Sequence, residues 1–124
     1  MKRNILLTIT SLLSILLLSF HLTQDSLRAT PGTWDAGPGN LTVILILLVY
    51  LCGTVLLAGR RSGYVITFLG GLFAAGMPVI HLTGPGLSAA ARAFFFLWTT
   101  IALGVLGMFS VILSARGLWS IQRG

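Results

Sequence analysis

Glutamate is absent from this chain, aspartate occurs only as Asp25 and Asp35, and cysteine only as Cys52. Charged residues make up 8% of the 124, hydrophobic residues 56%, and the mean hydropathy is +0.98. A soluble domain of this size needs a charged surface to stay in solution, and so little charge cannot supply one. A single cysteine excludes an intrachain disulfide and leaves the redox compartment unread. Inside an apolar run and beside Gly53, Cys52 reads as a small packing residue. No Gly-rich phosphate loop, metal-binding helix motif or membrane-buried carboxylate is present. The last absence separates the chain from small four-span multidrug exporters, which rely on a glutamate in their first span where this chain has Thr10 and Ser14. Ser26 lies near His21 and Asp25 in sequence, but proximity along the chain is not a triad, and no enzymatic activity is expected.

What is present is apolar sequence in four blocks: 5–22, 41–58, 64–82 and 93–115, of 18, 18, 19 and 23 residues, all without Asp, Glu, Lys or Arg. At 1.5 Å per residue, 18 helical residues reach about 27 Å, close to the roughly 30 Å hydrocarbon core of a bilayer. Block 5–22 holds twelve Leu, Ile or Phe residues. Each favours insertion by about 0.3 to 0.6 kcal/mol, which outweighs the scattered Ser and Thr. The expected fold is an all-α integral membrane protein, a single domain over 1–124 built as an antiparallel bundle of four transmembrane helices.

Lys2, Arg3, Arg60, Arg61, Arg116 and Arg123 fall on one side of such a bundle. Arg28 and Arg92 fall on the other, balanced by Asp25 and Asp35. The positive-inside bias therefore expects both termini in the cytoplasm of a multi-pass protein of the inner membrane. The net charge of +6 does not imply nucleic acid. It is split among three short flanks with no basic stripe to follow a phosphate backbone, and suits anionic lipid better. Lys2 and Arg3 before an apolar run resemble a signal peptide, but 18 residues exceed its usual apolar region, and Leu27-Arg28-Ala29 is a poor cleavage site. The first span is expected to be retained.

Loop 59–63, Gly-Arg-Arg-Ser-Gly, is a tight turn that makes a hairpin of spans two and three. Phe94, Phe95, Phe96 and Trp98 at one end of span four and Trp119 past its other end read as interface anchors. His21-Leu22-Thr23 and His81-Leu82-Thr83 end spans one and three with the same tripeptide. Aligning them pairs five identities in nine positions, which fits either two related hairpins or coincidence.

Helical spacing at 100° per residue groups Thr10, Ser14, His21 and Asp25 on one face of span one. It groups Thr67, Gly71, Ala74, Pro78 and His81 on one face of span three, and Thr100, Gly104, Gly107 and Ser114 on one face of span four. Small residues let helix backbones approach, so Gly70, Gly71, Ala74, Pro78, Gly104 and Gly107 are expected packing positions. Span two, the greasiest, is expected to face lipid most. Each histidine then lies on a packing face. Parallel spans one and three can sit diagonally across the core and aim His21 at His81 near the outer surface. Asp25, one turn after His21, can accept from its ring N–H. Arg28 and Arg92 can receive an anionic group such as a haem propionate or a lipid phosphate.

Three readings of this constellation stay open: a bis-histidine haem or transition-metal site, a pH-sensitive polar cluster, and interfacial histidines bonded only to loop carbonyls. Two histidines and one carboxylate make a thin metal site, and no Cys or Met is expected beside them. The leading expectation is no cofactor at all and a non-enzymatic structural or accessory role. A haem- or metal-binding module between His21 and His81 is the alternative, and a homo-oligomeric small-solute transporter is a third, disfavoured by the lack of buried charge. Expected partners are the lipid bilayer and either a homo-oligomer or a larger membrane complex. The runs Gly59-Arg60-Arg61-Ser62-Gly63-Tyr64, Gly76-Met77-Pro78-Val79-Ile80-His81, Phe94-Phe95-Phe96-Leu97-Trp98-Thr99 and Leu113-Ser114-Ala115-Arg116-Gly117-Leu118-Trp119 resemble short four-span bacterial inner-membrane proteins of no assigned activity. The resemblance spans most of the chain and implies a bacterial inner-membrane location.

Overall fold

The computed structural model describes residues 2–28, 32, 37–83 and 94–123. Among them the chain is all-helical: α1 (Lys2–Arg28), α2 (Pro38–Val55), α3 (Arg61–Leu82) and α4 (Phe94–Arg123), with no strand. Each helix is long and apolar enough to cross a membrane, the build of a multi-pass membrane protein. α1, α3 and α4 run past the apolar blocks into polar flanks, as helices do when their backbone bonds cost nothing to continue into the interface. α2 does the reverse. It stops at Val55 rather than at residue 58: Leu56 makes the last regular bond to the Cys52 carbonyl (2.9 Å), and Leu57 donates to that same carbonyl (3.2 Å) instead of continuing the α pattern. Gly59, at φ +78°, then reverses the chain toward α3, a backbone region that suits glycine.

The helices form a ring of neighbours: α1 packs on α2 and α4, α3 packs on α2 and α4, and α1 meets α3 more sparingly across the middle. α2 buries the smallest share of itself. Large apolar side chains such as Leu13, Leu16, Leu45, Leu48, Ile101 and Phe109 are turned outward, where a bilayer would receive them. The interior is correspondingly small and polar. Ser11, Ser14, Thr67, Thr100, Ser110 and Ser114 are all buried, beside an apolar cluster of Leu18, Leu47, Tyr50, Ala74, Met77 and Leu103. In lipid there is no hydrophobic drive between helices, so close backbone contact and hydroxyl bonding replace it.

The tightest seam joins α3 and α4. A Cβ on Gly107 would stand 2.5 Å from the Ala75 nitrogen and 2.7 Å from the Gly71 oxygen, so only hydrogen fits there. One turn away, Pro78 fills the space that Gly104 leaves, since a Cβ there would lie 2.5 Å from its Cγ. Gly70 takes the Tyr50 ring of α2 against its backbone, and Ala74 is wholly buried. Hydrogen bonds cross the interior at Thr67–Ser114 (2.9 Å) and from Ser110 to Thr10 (3.3 Å). Near one end of the bundle Tyr64 donates to Asn4 (2.5 Å). The interior face of α1 keeps the expected Ser14 and His21 but is rotated by roughly 30° at 100° per residue: Ser11 and Leu18 are buried as well, and Thr10 is only half-buried. Cys52 is exposed rather than a packing residue, and Gly53 and Thr54 take the inward positions on that turn.

Candidate metal centre

α1 stays helical through Arg28, which keeps His21 and Asp25 one turn apart on one face. His81 sits in the last turn of α3, just before Thr83 turns to extended backbone. Phe96 sits in the first turn of α4. These three helix ends meet, and the side chains converge there.

Asp25 bridges the two histidines. Its Oδ2 lies 3.5 Å from His21 Nε2 and 3.4 Å from His81 Nε2. The imidazoles pack edge to face with ring centres 4.4 Å apart. Phe96 lies 4.7 Å from the His21 ring and 5.7 Å from the His81 ring, closing the inner side. His21 is 2% exposed, His81 23% and Asp25 36%, so the cluster is walled on one side and open on the other. His81 Nδ1 is 3.2 Å from the Met77 carbonyl. With the proton on Nδ1 donated to that carbonyl, Nε2 keeps its lone pair and points it at the Asp25 side, the arrangement usual for a ligating imidazole.

One donor atom from each of His21, Asp25 and His81 lies within 4.8 Å of the others. Four ligands at tetrahedral positions, with bonds of roughly 2.0 to 2.1 Å, stand about 3.3 to 3.4 Å apart. The two nitrogen-to-carboxylate separations are close to that edge length. A three-ligand N₂O set leaves a coordination position for water or another donor, and imidazole with carboxylate suits first-row divalent metals. Haem fits poorly. Two imidazoles on opposite sides of one iron keep their ring centres about 6 Å apart, each bond being roughly 2 Å. At 4.4 Å, edge to face and with Phe96 against both, there is no slot for a macrocycle.

The expected pairing of Asp25 with His21 is present, but Asp25 also reaches His81, which spacing on α1 alone could not reveal. Arg28 ends α1, yet its side chain and the whole of Arg92 lie outside the described residues, so their part as anion receivers does too. Met77 does stand beside the histidines, contrary to the sequence reading, and touches His81 through its carbonyl. Phe96 is the residue that reading misplaced. It is 4% exposed, whereas Phe94, Phe95 and Trp98 point outward as anchors do. Extending the Thr100–Gly104 stripe one turn back reaches Phe96, and that periodicity was the available signal. Comparisons with protein-family models, with curated proteins and with solved structures find no match.

Proposed function

We propose that this protein is a non-enzymatic membrane module that holds a first-row divalent transition metal between His21, Asp25 and His81. The observation that carries the reading is the single carboxylate oxygen of Asp25 standing at ligand-edge distance from both Nε2 atoms. It ranks above the accessory role that composition alone favoured, because three donors from two helices lie within 4.8 Å of one another. We place the centre at the outer end of an antiparallel bundle in the bacterial inner membrane, both termini cytoplasmic. The six-to-two distribution of basic residues supports that orientation. The bilayer is the first partner, and assembly into a homo-oligomer or larger membrane complex fits the same reading.

The test is a titration of the detergent-purified full chain with Co²⁺, followed by its visible absorption, and with Zn²⁺ in competition. Stoichiometric uptake of one ion, with a spectrum of low-symmetry four- or five-coordinate cobalt that zinc erases, is the expected result. No uptake, or uptake unchanged in His81→Ala, overturns the metal reading and leaves an accessory role. That second reading has its own support in the α3–α4 seam, where Gly71, Gly104 and Gly107 let the two helices approach closely.

A further inference from the structure

At the end of the bundle away from the histidines, α1, α2 and α3 close on a small cavity of about 10 Å³, room for one water-sized occupant. Asn4, Thr8, Gly53, Thr54, Tyr64 and Thr67 are among the residues that line it. Asn4 and Tyr64 each lie 17 residues before the histidine of their own helix, about 25 Å along the axis. The cavity and the metal centre therefore stand or fall separately.

The lining hydroxyls have already committed their protons. Thr8 donates to the Asn4 carbonyl (2.8 Å), Thr54 to that of Tyr50 (2.8 Å) and Thr67 to that of Gly63 (2.9 Å), while Tyr64 donates to Asn4 Oδ1 (2.5 Å). The three threonines are left with oxygen lone pairs to offer. The end of α2 adds two more acceptors. Because Leu57 donates to the Cys52 carbonyl, the carbonyl of Gly53 loses its regular helix partner. Among the described residues no backbone N–H reaches the Thr54 carbonyl either. Gly53 and Thr54 are both buried, at the end of the helix that carries the negative pole of its dipole.

We propose that this cavity binds one sodium ion, held by the hydroxyl oxygens of Thr8, Thr54 and Thr67 and by the freed carbonyls of Gly53 and Thr54. A single water has two hydrogens to share among three hydroxyl and two carbonyl oxygens, whereas a hard cation is satisfied by oxygen lone pairs on every side. Unwound carbonyls at the C-terminal end of a broken helix are a recurrent Na⁺ cradle in membrane proteins. The small volume favours Na⁺ over larger cations. Arg60 and Arg61 lie at this end but are exposed, where solvent and salt screen their charge.

The full chain, purified in detergent, is followed by thermal unfolding in sodium, potassium and choline chloride at one ionic strength. Tm should rise with Na⁺ to a plateau, rise less with K⁺ and stay level with choline. Thr54→Val removes one ligand oxygen at nearly constant volume and should lose the sodium response. Thr8→Val, on another helix, should weaken that response too, and it keeps the test open if the Thr54 variant does not fold. Thr99→Val also removes a buried hydroxyl that donates to its own helix, but near the start of α4. It should respond to Na⁺ as wild type does, and so should His81→Ala. Equal Tm in the three salts, or a full sodium response in the Thr54 and Thr8 variants, overturns the site and leaves the cavity to water alone. A potassium response equal to that of sodium overturns the sodium assignment.

Discussion

Asp25 on α1 and His81 on α3 stand 3.4 Å apart although 56 residues separate them in the chain. The contact joins two helices that otherwise meet only sparingly, and it converts an ordinary one-turn His–Asp pair into a three-donor cluster. If a metal is shared, His21→Ala and His81→Ala should each abolish Co²⁺ binding, and the double variant should be no worse. Asp25→Asn should also weaken it strongly, since the neutral amide oxygen is a poorer ligand than the carboxylate it replaces. Additive stability losses with no change in metal uptake would mark the histidines as independent hydrogen-bonding groups.

Protons compete with the metal for the same nitrogens. Ligation needs both imidazoles neutral, so Co²⁺ affinity should fall as the pH is lowered. A titration at stepped pH reads this directly. A pH-independent affinity would place the ion on other ligands.

The α3–α4 seam predicts a contrast between two glycines. Gly107→Ala sets a methyl against the Ala75 nitrogen and the Gly71 oxygen, backbone atoms that cannot swing aside, and should cost about 1 to 3 kcal/mol. Gly76→Ala meets nothing within 4 Å and should be neutral or stabilising by up to about 1 kcal/mol through helix propensity. Thermal unfolding in one detergent measures both. Gly71→Leu and Gly104→Leu should likewise exceed Leu48→Ala, whose side chain is half exposed. Leu47 would be a poor control for that comparison, being part of the buried cluster.

Orientation is open to thiol labelling in a Cys52→Ser background. Ser62→Cys in the α2–α3 turn should resist a membrane-impermeant reagent in intact cells, and Thr33→Cys should react. The reverse pattern would put the histidine cluster on the cytoplasmic side.

Much of this architecture was legible in the sequence because it follows from solvent. Four long uncharged blocks have to be helical in a bilayer, where every backbone group must bond within its own segment. The inward faces of α3 and α4 were also legible, since Gly71, Gly107 and Ser114 repeat at helical spacing among bulky neighbours. α1 was harder. Thr10 and Ser11 are both small hydroxyl residues, and spacing alone could not say which faces inward. Both turn out to meet the interior, Ser11 fully buried and Thr10 half-buried while accepting from Ser110 of α4, and that is information from another helix. Cys52 was misjudged for a related reason, since Gly53 beside it competes for the same contact. The site divides along the same line. His21 with Asp25 is a local pair and was visible, whereas the reach of Asp25 to His81 and the inward turn of Phe96 depend on how three helix ends meet.

The buried hydroxyls have an electrical consequence. Ser14 donates to the Thr10 carbonyl, Thr67 to that of Gly63, and Thr100 to that of Phe96, so each is tied first to its own helix. Between Ser14, Thr67 and Ser110 at one level and the histidines at the other lie Leu18, Ala74 and Leu103, each at most 1% exposed. Among the described residues, a proton entering from the Asn4–Tyr64 end therefore meets an apolar layer before it reaches the histidines, which separates the hydroxyl cluster electrically from the imidazole pair.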